Sequence, residues 1–143
     1  MQNPALLYPI FALAAWTGLV LMLIPVTRIR AARKREVVAK DFRYGESASV
    51  PGHVSIPNRN YMNLLELPVL FYVVCLLLFV TNNHSALAVQ LAWAFVALRV
   101  LHSLIHLSYN NVIHRLTAFA LSNTVLVIMW VNAAVYVSST LKN

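Results

Sequence analysis

The stretch Ala86–Leu107 reads ALAVQLAWAFVALRVLHSLIHL. About 20 helical residues cross the roughly 30 Å of a bilayer's hydrocarbon, and this run is long and apolar enough to do so. Arg99, His102, Ser103 and His106 interrupt it at i, i+3, i+4 and i+7, which puts them on one face of a helix. Asn110 extends that face if the helix runs on. A span with a polar stripe cannot offer the stripe to lipid. The stripe must face the inside of a bundle or an interface between chains.

Three further runs match this one. They cover residues 5–27, 63–80 and 116–137. The chain has 143 residues, of which 60% are hydrophobic and 10% charged. Soluble domains carry roughly 25% charged residues, so the deficit points to a membrane protein. Little sequence remains for a soluble domain. The expected fold is a single all-α domain of four membrane-spanning helices, at about residues 5–40, 59–80, 86–107 and 115–137, with one loop at about 41–58. Helix one is expected to continue past the membrane through RIRAARKREVVAK, residues 28–40, which holds no Gly or Pro. Its apolar run exceeds a signal peptide's and has no basic residue before it, so it is read as a retained span. Asn58 is the expected N-cap of helix two. Ala14 and Gly18 hint at close helix contact through small residues.

The net charge of +7 is concentrated, with eight of the eleven Lys and Arg in residues 28–60. The positive-inside rule makes that loop cytoplasmic and sets both termini outside. Basic residues that flank a span meet anionic lipid headgroups, at roughly 1 kcal/mol each. This placement argues against nucleic acid as a partner. The single cysteine, Cys75, sits in an apolar run away from the polar stripes and reads as packing.

A second stripe lies on helix two, where Arg59, Asn63 and Glu66 are spaced i, i+4, i+7. Glu66 lies about 10 Å beyond Arg59, and Arg99 about 12 Å before Leu107, at 1.5 Å per residue. The opposite charges therefore share a depth near the basic side. Two explanations stay open. One is a buried Glu66–Arg99 ion pair that fixes helix register. The other is a ligand or catalytic site, which accounts better for Arg59, Asn63, His102, Ser103, His106 and Arg115 gathering on one side. Several Arg residues suit carboxylates, and Glu66 suits an amine. A small zwitterion with more than one carboxylate fits, with an apolar co-substrate arriving from lipid. His102 and His106 have a metal-compatible spacing, but no further ligand stands at helical spacing to complete a site, and no metal is expected. His53 and His84 read as solvated polar residues. Tyr109 is the aromatic nearest the mouth.

At these residues the chain resembles the MAPEG superfamily, the membrane-associated proteins of eicosanoid and glutathione metabolism. The resemblance rests on Thr-Arg28-Ile-Arg30, Arg59-x3-Asn63-x2-Glu66, Arg99-x2-His102-Ser103 and Arg115. It implies a four-helix membrane bundle assembled as a homotrimer, with glutathione as co-substrate between neighbouring subunits. It implies Arg28, Arg59, Asn63, Glu66, Arg99, His102 and His106 as glutathione-binding positions and Arg115 as the catalytic residue that stabilises the thiolate. His106 stands where well-studied eukaryotic members have Tyr. Leu116 and Phe119 stand where the prostaglandin synthase branch has Ser and Tyr, so that branch's specific chemistry is not expected. The segment HSLIHLSYNNVIHR is similar to bacterial members. With no ER-retention tail and no lipidation motif, the expected location is a bacterial inner membrane, or the endoplasmic reticulum in a eukaryote. The expected activity is that of a glutathione-dependent transferase or peroxidase acting on lipophilic electrophiles. The other readings are a non-catalytic scaffold or lipid-binding protein, and a small proton-coupled exporter using Glu66.

Overall fold

A computed structural model describes residues 4–83 and 85–140. His84 and Lys142, the latter the tail's basic residue, lie outside the described residues. The described chain is helical: α1 (Leu7–Arg33), α2 (Gly52–Leu65), α3 (Pro68–Val80), α4 (Ala86–Leu107) and α5 (Val112–Thr140). A short 3-10 turn, Pro4–Leu6, leads into α1, and another, Ala39–Phe42, lies in the loop after it. Taking α2 and α3 together, four segments are long and apolar enough to cross a membrane: Pro4–Arg33, Gly52–Val80, Ala86–Leu107 and Val112–Thr140. The protein is a multi-pass integral membrane protein.

The core is built where the helices converge. Leu13 and Val20 of α1, Leu64 of α2, Phe71, Val74 and Leu78 of α3, Phe95 of α4, and Leu126 and Met129 of α5 are all buried. Phe71 and Phe95 stack with ring centroids 4.5 Å apart and planes 15° from parallel. Ala88, Ala92, Ala118 and Ala133 are buried as well, and small residues let backbones approach closely where lipid supplies no hydrophobic drive. Cys75 is buried in this core, as its apolar surroundings led us to expect. The outer faces are apolar: Leu19, Met22, Val69, Leu76, Leu101, Leu121 and Val131 are exposed, as a lipid-facing surface requires. Ala14 and Gly18 also face outward, and their small side chains are not used within the chain.

Three boundaries differ from the sequence reading. Helix one stops at Arg33, not near residue 40. Arg35 takes φ +59°, and the Glu36 amide reaches back to the Ala31 carbonyl at 3.0 Å. This closes the helix as a left-handed cap. The reversal swings Val37 inward to pack with Ala31, Val50 and Val54, burial that continued helix would forgo. The next helix starts at Gly52, so the loop covers 34–51 and not 41–58, the same length moved seven residues earlier, and Pro51 takes the N-cap place expected of Asn58. Pro57 lies inside α2, where its missing N–H costs one backbone bond without ending the helix. The expected helix 59–80 is also broken, between Leu65 and Pro68. Pro68 has no N–H to donate to the Leu64 carbonyl, and its ring crowds that carbonyl; the chain bends at Glu66, with ψ −97°, while Leu67 keeps helical geometry. The Val69 and Leu70 amides bond three residues back across the break, to Glu66 and Leu67.

Phe71→Ala is expected to destabilise the detergent-solubilised protein by on the order of 3–5 kcal/mol. Leu121→Ala, on the lipid face, should leave the thermal midpoint close to wild type. Thermal unfolding of both variants checks the pair.

Candidate functional site

The stripe on α4 faces inward. Arg99, His102, Ser103 and His106 are all buried, and Arg99 has 0% of its surface exposed. The guanidinium of Arg99 lies 5.9 Å from the Phe95 ring centroid and 5.3 Å from that of Phe119. Its Nη2 donates to the backbone carbonyl of Asn63. That carbonyl is available because Asn63 belongs to the last turn of α2, where carbonyls lose their helical partners. The Pro68 break therefore provides the acceptor that holds Arg99. Its Nε and Nη1 are buried with no protein partner. An unpaired buried donor is costly, more so when charged, so the two N–H groups are an open demand for an acceptor.

The stripe on α2 borders the same site from its open side. Arg59 and Glu66 are exposed on the single chain, and Asn63 is half-buried. Glu66 does not pair with Arg99. Among the described residues the ion pairs are Arg28–Glu46, at 3.0 Å, and His53–Glu36, at 2.9 Å. The expected register-fixing pair fails for a geometric reason. Glu66 sits at the helix break with its side chain outward, while Arg99 turns to the Asn63 carbonyl. What α2 turns inward is Asn60, which is fully buried and donates to Ser103 Oγ at 2.6 Å. Asn60 was missed in the sequence because it lies one position from Arg59, about 100° round the helix. Its signal was its place four residues before Leu64, the buried residue of the same face.

The mouth of the site is the α4–α5 turn. The α4 helix ends at Leu107, so Asn110 does not extend the stripe as helix. It adopts φ +48°, and its amide bonds to the Ile105 carbonyl at 2.8 Å. Asn111 caps α5: its Oδ1 accepts from the Ile113 and His114 amides at 2.9 and 3.1 Å. The cap sets Arg115 on the first turn of α5. Arg115 Nη1 donates to Asn110 Oδ1 at 2.8 Å and lies 3.2 and 3.4 Å from the two ring nitrogens of His106. The charge of exposed Arg59 also reaches His106. Tyr109, by contrast, is on the outer surface, its hydroxyl 3.0 Å from His114 Nδ1.

A groove of about 220 Å³ opens here, lined by Asn63, His102, Val112, Arg115, Leu116 and Phe119. Helix α5 supplies Val112, Arg115, Leu116 and Phe119 from one face, and Asn63 of α2 and His102 of α4 add polar groups. Arg99 sits directly behind it, touching Asn63 and Phe119 of the lining. Phe119 also packs on His102, with ring centroids 5.8 Å apart. The structure thus brings Asn63, Arg99, His102, His106 and Arg115 together. Arg28 is engaged elsewhere, donating to Glu46 and lying 4.4 Å over the Phe42 ring.

A family model described as the MAPEG family matches residues 6–135, nearly the whole chain. The chain belongs to the MAPEG family. No curated protein and no solved structure matches it. MAPEG membership accords with the four spans, and it includes glutathione transferases together with other members.

Arg99→Met replaces a buried, half-paired cation with an apolar side chain of similar length. The Asn63 carbonyl at the helix break then loses the donor that satisfies it, and an unpaired buried polar group costs about 1–3 kcal/mol. The thermal midpoint of the ligand-free protein should therefore fall. An unchanged midpoint would show that the Arg99–Asn63 bond does not hold the break.

Proposed function

We propose that this protein is a membrane-bound glutathione-dependent transferase acting on lipophilic electrophiles. The observation that carries the reading is Arg115: a cation fixed at the mouth of a groove whose lining mixes polar and apolar side chains. The donors present fit the tripeptide. Arg99 has two buried N–H groups without a partner, suited to a carboxylate. Asn63 and His102 add polar groups to the wall.

The groove of one chain is too small for the whole ligand. At about 220 Å³ it falls below the roughly 300 Å³ at which ligand pockets begin. Arg59 and Glu66 meanwhile stand exposed on a membrane-spanning segment, where bare charge costs at least about 3 kcal/mol. One arrangement answers both demands: a second copy covers this face and completes the site. A homotrimer with the ligand between copies is such an arrangement. Arg28 would then join from the basic end of α1 on leaving Glu46, and that end we place on the cytoplasmic side of, by sequence preference, a bacterial inner membrane.

Glutathione supplies a thiol nucleophile. A free thiol has a pKa near 8.5, so most of it is protonated at neutral pH, and an adjacent cation favours the anion. Arg115 stabilises the sulfur anion through charge and does not itself take the proton, which passes to water. Arg99, Asn63 and His102 hold the polar parts of the ligand. Val112, Leu116 and Phe119 form the wall against which a lipid-borne electrophile lies. There the sulfur's electron pair forms a C–S bond as the leaving group departs with its own bonding pair.

Titration of the purified protein with glutathione should give a thiolate difference spectrum at neutral pH and conjugation of a model aryl halide. Arg115→Ala should abolish the spectrum and lower kcat by on the order of a hundredfold, the scale set by removal of one preorganised donor. A wild-type protein that neither binds nor conjugates glutathione would instead support the lipid-binding reading.

A further inference from the structure

The α4–α5 turn carries a device that the groove alone does not explain. Asn110 stands in the left-handed conformation, at φ +48°. Asn and Gly are the residues that visit this region routinely. The turn alone could use glycine, and its 2.8 Å backbone bond to Ile105 needs no side chain. What the side chain adds is a single oxygen shared by two groups. Asn110 Oδ1 accepts from Arg115 Nη1 at 2.8 Å and lies 3.0 Å from His106 Nδ1.

The shared oxygen orders the cluster. Arg has donors only, so the Asn110 atom facing Arg115 is the oxygen, not the amide nitrogen. The His106 ring lies against the same group, with Nδ1 3.2 Å and Nε2 3.4 Å from Arg115 Nη1. One terminal nitrogen of Arg115 is thereby held from behind by Asn110, with the His106 ring beside it. Its Nε and Nη2 remain for the groove, which Arg115 lines. His106 is buried, with 3% exposure, and does not line the groove, so it acts through Arg115.

We propose that Asn110 is a positioning residue: its side-chain oxygen aims the Arg115 guanidinium into the groove, with the His106 ring behind it. The consequence for catalysis rests on the glutathione reading above. The positioning itself does not.

Asn110→Gly separates the side chain from the backbone: it keeps the left-handed turn and deletes the oxygen. In ligand-free protein labelled with nitrogen-15 at arginine, the Arg115 Nη groups should rotate slowly in wild type and faster in Asn110→Gly. Asn110→Asp keeps an acceptor and tolerates the same φ, so it should keep the slow rotation, while its added charge offsets the Arg115 cation and weakens the thiolate spectrum. With glutathione, Asn110→Gly should weaken the thiolate spectrum and lower kcat by on the order of tenfold or more, as misplaced catalytic groups do, and KM should move less. An Asn110→Gly protein with the wild-type Arg115 rotation and the wild-type spectrum overturns the proposal. If wild type forms no thiolate, the glutathione reading fails, and the arginine signals alone decide the role of Asn110.

Discussion

The bond from Arg99 to the Asn63 carbonyl is the contact around which the rest of the site is arranged. A guanidinium with no exposed surface has to be held by protein, because neither water nor lipid can hold it. Here it is held by one carbonyl and by the rings of Phe95 and Phe119. The carbonyl exists as an acceptor only because α2 ends at Leu65, and α2 ends there because Pro68 can neither bond nor accommodate the Leu64 carbonyl four residues back. A break in a membrane-spanning segment exposes backbone polar groups, which are tolerated only where something buried satisfies them. The break and the buried cation answer each other, yet not completely. Two N–H groups of Arg99 are left over, and they give the site its appetite for an anion.

The same logic recurs at the other end of the groove. There α4 ends at Leu107, the chain reverses through Asn110, and Asn111 starts α5. The reversal brings Arg115 against His106, nine residues earlier in the chain. Both cations are thus set by helix termini and not by helix faces alone. One faces the buried interior and the other the groove, with His102 and Phe119 between them. On the proposed function, holding and activation are separated over a short distance, an arrangement suited to a ligand with a carboxylate at one part and a thiol at another.

The spans were legible because apolar length is a strong signal. The α4 stripe was legible because Arg99, His102, Ser103 and His106 keep a helical period over two turns. The α2 stripe kept the same period but not the same orientation. Arg59 and Glu66 face outward, while Asn60, one position away, carries the buried contact to Ser103. Period alone fixes which residues share a face; which face is buried depends on the neighbouring helices. The ends of helices were the weakest reading. The reversal at Arg35 depends on Val37 finding a buried place beside Val50 and Val54, contacts made across the loop. Arg28 was drawn away by Glu46, eighteen residues on, a pairing that no local spacing announces. Asn110 belonged to the stripe by period, yet it does its work from a left-handed turn.

The most direct measurement is an experimental structure of the protein in lipid with glutathione bound. The account predicts the sulfur beside the Arg115 guanidinium, a carboxylate accepting from Arg99 Nε or Nη1, and a second copy covering Arg59 and Glu66. Glutathione bound away from this groove, or Arg99 paired with Glu66 and no ligand between copies, would contradict it.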